Sequence, residues 1–322
     1  MTNYNGSRAD ARLDLSEAFW EYDQENAGST NIATKVLGTF NSPVDAGAFS
    51  VMRREGILTD DASLRAAKST YARGSHDAED KTFACLEYGY EEIVDDKQRA
   101  LYASDFDAEM AALIIAAGKV ERAQEIRTAS TVFNTSTWTG ASLYTDAGNS
   151  AAWSTASTDI ITDILNAKEK VRSGSGSTAD TLVVGAGTFS NMLKNTGIRN
   201  QFPGASLITL AMIEQALSSI FGLTKLMVGG NVKNTADENL TASISDVWST
   251  QYAMVCKTAN AGDPVNTPCI GRSILWTGDS PSNLIVESYR EEQSRGDVIR
   301  ARQNVDELII DPTFGHLIEV EA

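Results

Sequence analysis

Residues 31 to about 80 constrain this chain most, because they hold no sustained period yet lead into a regular chain. Val36, Leu37, Phe40, Phe49, Val51 and Met52 are scattered, with neither a three-and-four stripe nor a persistent alternation. An excursion of that length is uncommon in a compact domain and points to a functional or mobile segment. It is also basic: Arg53, Arg54, Arg65, Lys68 and Arg73 stand against Glu55, Asp60 and Asp61. The whole chain is acidic, with 43 Asp and Glu against 27 Lys and Arg in 322 residues, a formal charge of −16. That balance disfavours a general nucleic-acid binder, which needs clustered bases against phosphate. Its 42% hydrophobic content is that of a folded chain, and the length suggests about two domains.

Residues 1–30 read as an arm. Leu15, Phe19 and Tyr22 share one side of a short helical patch among Asp10, Asp14, Glu17, Glu21, Asp23 and Glu25. So few apolar anchors make it marginal alone. After the excursion, Ala84, Leu86, Tyr88 and Tyr90 alternate with Cys85, Glu87, Gly89 and Glu91, which predicts a strand with one polar face, ending in an acidic turn over 91–96. A long amphipathic helix is predicted over about 106–128. Ser104 or Asp105 would cap it, and Met110, Leu113, Ile114, Ala117 and Val120 form its stripe. Arg122 and Arg127 fall near its negative end. A second helix is expected over about 158–172, stopped by Ser173-Gly-Ser-Gly176, and a short one over 188–194. Leu210, Ile213, Leu217, Ile220 and Phe221 mark a third, closed by Gly222. Strands are expected at 181–185, 225–229 and 252–256, which together make an α/β lobe over about 155–275. A final strand pair, 308–310 and 317–320, turns at Asp311-Pro312.

The chain carries little catalytic vocabulary. No apolar run reaches the ~20 residues of a membrane helix, and the first residues lack a secretion-signal core. Cys85, Cys256 and Cys269 read as free thiols in a reducing compartment. His76 and His316, the only histidines, have no partner at metal-ligand spacing and read as solvent-facing or strand-capping. No cofactor or metal is expected. Gly185-Ala-Gly187-Thr-Phe-Ser190 follows a strand and precedes a helix, the setting of a dinucleotide turn, but Ser190 stands where a third glycine belongs. A tight turn is the better reading; an α/β nucleotide-binding enzyme is the minor rival. Glu91-Glu92 and Asp95-Asp96 lack the spaced ligands of a calcium loop. What remains is charge segregation. The basic excursion of one copy is expected to lie over an acidic segment of another, with Glu87, Glu91, Glu92, Asp95 and Asp96 as counter-charges.

The order of these parts, with Tyr88-Gly-Tyr-Glu-Glu92 and Val94-Asp-Asp96 before the long helix and Glu287-Ser-Tyr-Arg290 and Asp297-Val-Ile-Arg-Ala-Arg302 near the end, resembles the major capsid proteins of tailed bacteriophages, the Hong Kong 97 type. The resemblance implies an α+β fold with an N-arm (1–30), an extended E-loop hairpin (31–82), a peripheral domain with a long spine helix (83–154), an axial α/β domain (155–282) and returning strands (283–322). It implies a structural subunit, not an enzyme. Such a subunit assembles with itself as hexamers and pentamers in the host cytoplasm, and its shell encloses double-stranded DNA. Scaffolding protein, portal and decoration proteins are the implied partners, with no membrane. Tyr289 and Arg290 join the contact residues by motif position alone. The arm leads almost at once into the loop, so the chain is either a mature form or served by a separate scaffolding protein. No trio of Lys, acid and Asn matches the crosslink that some members form. An encapsulin-type nanocompartment shell, enclosing cargo protein, is the same-fold alternative.

Overall fold

The computed structural model describes residues 10–11, 31–52, 57–60, 62–74, 77–102, 107–202, 209, 212, 215–237, 240–279 and 282–321. Apart from Asp10 and Ala11, the expected arm lies outside them, as do Arg53, Arg54 and His76.

The front of the chain is more regular than its composition suggests. After the two-residue strand β1 (Asp10–Ala11) come α1 (Ala33–Val36), β2 (Thr39–Ser42), β3 (Ala46–Met52) and β4 (Ala78–Ala84). The excursion is thus a hairpin, β3 against β4 from Ala46↔Ala84 to Met52↔Ala78, with a long tip. Gly47, Phe49 and Val51 point inward in turn while their neighbours face water. Small residues at Ala46, Gly47 and Ala48 dilute that period-two signal, so the residue pattern shows no strand there and the hairpin is expected from the resemblance alone.

The next strand, β5 (Leu86–Asp95), runs straight through the residues expected to turn, because Glu91, Glu92 and Asp95 all pair with one partner strand. The chain continues as α2 (Asp96–Tyr102) and the 25-residue α3 (Ala108–Val132). The α3 cap is Asp107, which accepts the N–H groups of Glu109 and Met110; Ser104 and Asp105, the expected caps, lie outside the described residues. At ~1.5 Å per residue α3 is roughly 37 Å long.

Beyond α3 lie β6 (Tyr144–Asp146), α4 (Gly148–Ala151), α5 (Ile160–Ser175), β7 (Thr181–Gly185), α6 (Ala186–Lys194) and α7 (Thr196–Arg199). Helix α5 passes through Gly174 and stops at Gly176, whose φ of 67° takes the left-handed cap without a Cβ penalty. Then follow β8 (Lys225–Gly229), β9 (Val232–Asn234), β10 (Ile244–Asp246), β11 (Tyr252–Cys256), β12 (Gly271–Trp276), β13 (Ile285–Glu291), the 14-residue β14 (Gly296–Ile309) and β15 (Gly315–Glu319). Of the third expected helix, Met212, Gln215 and Ala216 are described as α-helical and lead into a π-helical turn, Leu217–Phe221, which ends at Gly222 with φ of 59°.

Two large sheets organise most of these strands, with β9 and β10 paired apart from them as β3 and β4 are. One has the order β1-β13-β14-β12-β2, with β5 also on β14; the other is β6-β15-β11-β7-β8. The expected final strand pair does not exist. Strand β14 belongs to the first sheet and β15 to the second, and the short helical turn Pro312–Phe314 carries the chain across. Strands β6 and β15 therefore sit with the α/β lobe and β12 with the other sheet. Helix α3 serves both lobes. Ala112, Leu113, Ala116, Ala117 and Val120 pack on Val286, Ile299 and Ala301 of the first sheet, while Ala129 and Val132 enter the core around Val183, Met254 and Leu317 of the second.

His316 is neither solvent-facing nor strand-capping. It is fully buried in β15, its Nδ1 2.9 Å from the Ser142 carbonyl and its Nε2 2.8 Å from the Thr145 hydroxyl, which in turn accepts from Lys170. Burial pushes its pKa down to about 4, with Lys170 adding to the effect. The folded form therefore holds the ring neutral. Its stabilisation is complete above about pH 6.5 and is lost as pH falls toward 4, a loss of about 3 kcal/mol. His316→Gln, which retains a polar atom near Thr145, is expected to show a shallower fall in urea midpoint over that pH range. An unchanged profile in the variant would remove His316 as the cause.

Candidate assembly surface

The hairpin is seated at its root and free at its tip. Phe49 and Val51 pack on Ala259, Cys269 and Ile310, and the Ala84 N–H donates to Asp306 at 3.0 Å. Residues 62–74 are exposed throughout and contain no acid. Leu64 is 100% exposed and Tyr71 70%. Arg65 donates from Nε to the Ser69 carbonyl at 2.7 Å and lies 4.9 Å from the Tyr71 ring centre. Lys68, at φ 68°, and Arg73 have no partner among the described residues. Further back, Leu58 leans on the end of α5, where a Cβ at Gly176 would lie 2.8 Å from it. Sequence reading weighed the charges of this tip and missed Leu64 and Tyr71. Their signal was two large apolar side chains in a stretch with no period to bury them.

The acidic residues are already engaged within their own chain. Strand β5 pairs with β14 along its length, and no strand covers its other edge among the described residues. Tyr88 and Tyr90 turn toward α3, where Arg127 lies 3.6 Å and Lys119 3.8 Å from their ring centres. The opposite face carries a charge ladder. Arg300 Nε donates to Glu91 at 2.5 Å and lies near Glu287; Arg302 bonds Glu287 at 2.8 Å and Asp279, with Glu87 at 3.7 Å. Tyr289 donates to Glu91 at 3.3 Å. At the far end Arg290 grips Asp96 through two bonds of 2.7 and 2.6 Å, which hold that carboxyl below its usual range. Asp95 caps α2 by accepting the Lys97 and Gln98 N–H groups. Tyr289 and Arg290, expected as contacts to a neighbour, thus bind two of the acids expected to face that neighbour. Glu92 has no partner among the described residues.

The glycine turn at 185–190 is filled. A Cβ at Gly185 would sit 2.4 Å from the Trp248 carbonyl, one at Gly187 2.3 Å from the Thr250 methyl, and one at Gly229 2.1 Å from the Trp248 ring. These glycines make room for residues 248–250, so the turn offers no phosphate cradle. The thiols of Cys256 and Cys269 are buried, and burial pushes both up; burial also pushes Cys85 up, to about 11. All three stay protonated near neutral pH. No helix among the described residues is long and apolar enough to cross a membrane.

No family model and no curated protein matches the chain. Solved structures do. A phage-related protein from Bordetella bronchiseptica is similar over 97% of this chain and 98% of its own, at 17% identity and a TM-score of 0.71. The capsid of a native GTA particle matches over 91% of each chain, at 16% identity and a TM-score of 0.56. An encapsulin complex from Synechococcus elongatus matches over 89% of this chain and 86% of its own, at 10% identity and 0.51. The likeness runs nearly end to end through the hairpin, the long helix and both sheets: the chain has the Hong Kong 97 type capsid fold.

Proposed function

We propose that this chain is the structural subunit of an icosahedral phage head, joining copies of itself as hexamers and pentamers into a shell around double-stranded DNA. The observation that carries the reading is the tip at 62–74, which leaves Leu64 wholly in water on an ordered hairpin. A side chain of that size, so presented, acquires its burial from another molecule. The fold likeness supports a copy of the same chain as that molecule. Assembly belongs to the host cytoplasm, with scaffolding protein, portal and decoration proteins as partners.

Charge has a supporting part. Arg65, Lys68 and Arg73, with Arg53 and Arg54, approach the acidic strand of a neighbour, where Glu87, Glu91, Glu92, Asp95 and Asp96 outnumber the arginines that already hold some of them. Tyr289 and Arg290 shape that strip by fixing Glu91 and Asp96. Pairs so exposed contribute little each, so they steer the encounter while apolar burial anchors it. Electron microscopy with sedimentation of the purified protein tests the reading. Closed shells support it, and a compact monomer at every concentration overturns it. An encapsulin-type shell uses the same fold. Nuclease-protected DNA inside particles and neighbouring portal and terminase genes mark a phage head, whereas a neighbouring cargo enzyme marks the nanocompartment.

A further inference from the structure

The buried stripe of α3 changes chemistry where the helix passes from one core to the other. Between Val120, in the first, and Ala129, in the second, lie Gln124, Glu125 and Thr128, all buried and all polar. Glu125 is 2% exposed, and no ion pair neutralises it among the described residues. Its Oε1 accepts the Ala33 N–H at 2.6 Å, and its Oε2 accepts the Trp248 indole N–H at 2.7 Å. Burial pushes this carboxyl up, and the N–H donors draw it partly back. A buried carboxylate that no direct ion pair holds, and that only the Lys35 charge across the cleft helps to offset, is costly to place for packing alone, so its bonds point to a task.

Its partners define that task. Ala33 opens α1, which belongs to the strap of chain leading to β2 and the hairpin. Trp248 comes from the other lobe, where its ring fills the space left by Gly229 at the end of β8 and meets Phe133 edge-on at 5.2 Å. Beside this point the lobes part around a cleft of about 650 Å³ lined by Lys35, Glu121, Gln124, Lys225 and Asn283. There Gln124 Nε2 and Asn283 Oδ1 are buried without partners. Apolar packing resumes only beyond the cleft, where Ile32, Val36 and Leu37 of the strap meet Ala129, Val132 and Trp248, so the carboxylate stands at the edge of the contact between the lobes.

We infer that Glu125 is the joint of the subunit, a positioning residue whose single carboxylate ties the strap to the long helix and to the second lobe and so holds the angle between lobes. Only its consequence for shell geometry rests on the capsid reading. Glu125→Gln tests it, because the amide turns a donor toward one of the two N–H groups; Trp248→Phe removes the indole N–H and leaves a ring. Hydrogen exchange on the full-length chain at neutral pH is expected to quicken about tenfold at amides 32–36 in Glu125→Gln, less in Trp248→Phe, with α5 unchanged. Shells of Glu125→Gln are expected to spread in diameter under the electron microscope. Unchanged exchange at 32–36 in both variants overturns the joint, as does a uniform rise along the chain. Faster exchange with wild-type diameters overturns the claim on lobe angle. Should Glu125→Gln fail to fold, Trp248→Phe carries both measurements. If the wild type forms no shells, the capsid reading falls while the exchange result still decides the joint.

Discussion

Leu64→Ser combined with Tyr71→Ser is expected to abolish shell formation while the subunit melts as before. Neither side chain is buried in its own chain, and surface changes of that kind stay within about 0.5 kcal/mol. At a neighbour's surface the balance differs. Burying a side chain of that size is worth about 1.5–3 kcal/mol, so the pair supplies roughly 4 kcal/mol to each contact. At ~1.4 kcal/mol per tenfold, that is a factor of about a thousand in each contact's equilibrium constant, repeated at every subunit of a shell. Calorimetry gives the melting, and sedimentation with microscopy gives the shells. Wild-type shell yield from the double variant would end the case for the tip as anchor. Neutralising Arg65, Lys68 and Arg73 to Gln is expected to do less. Shells form more slowly and with weaker salt dependence, because steering is lost and burial is not.

The contrast between those variants follows what the sequence could carry. The long helix, Gly176 and Gly222 as stops, and the strands at 181–185, 225–229 and 252–256 were legible because each depends on local chemistry: a cap, a glycine in left-handed backbone, or a run of branched side chains. The ladder of Glu91, Arg300, Glu287 and Arg302 was not legible. Its members lie as much as 209 positions apart, as Glu91 and Arg300 do, and meet only through the register of β5, β14 and β13. Composition showed the acids and could not show that their partners were in the same chain. Strand β15 was seen as a strand and assigned the wrong neighbour, since Ile309 and Leu317 look alike in sequence while they serve different sheets. Glu125 left no signal at all. A single Glu in a helix between Gln124 and Ile126 reads as an ordinary polar position, and only its depth marks it.

Gly229→Ala is expected to be the most damaging small substitution in the second lobe. Gly229 ends β8 and pairs in parallel register with Gly185, so the strand cannot slide away without breaking its ladder. The added carbon would lie 2.1 Å from Cδ1 and 2.3 Å from Cγ of Trp248, atoms next to the root of that side chain. Nor can the indole retreat. It is fully buried, held edge-on by Phe133 and bonded to Glu125, and its own backbone carbonyl closes on Gly185. Overpacking against so fixed a wall costs about 3 kcal/mol, at the upper end for one added methyl group. In a chain of this size that lowers the melting temperature by roughly 6–10 °C. A second change identifies the cause. Trp248→Leu alone is destabilising because it empties part of the core, yet placed in the Gly229→Ala background it vacates the space the new methyl needs. The double variant is expected to melt above the sum of the two single losses, with a coupling of about 1 kcal/mol or more. Additive losses, or a Gly229→Ala chain that melts within about one degree of wild type, would show that the ring moves freely. In that event Trp248 could not serve as the fixed end of the Glu125 joint.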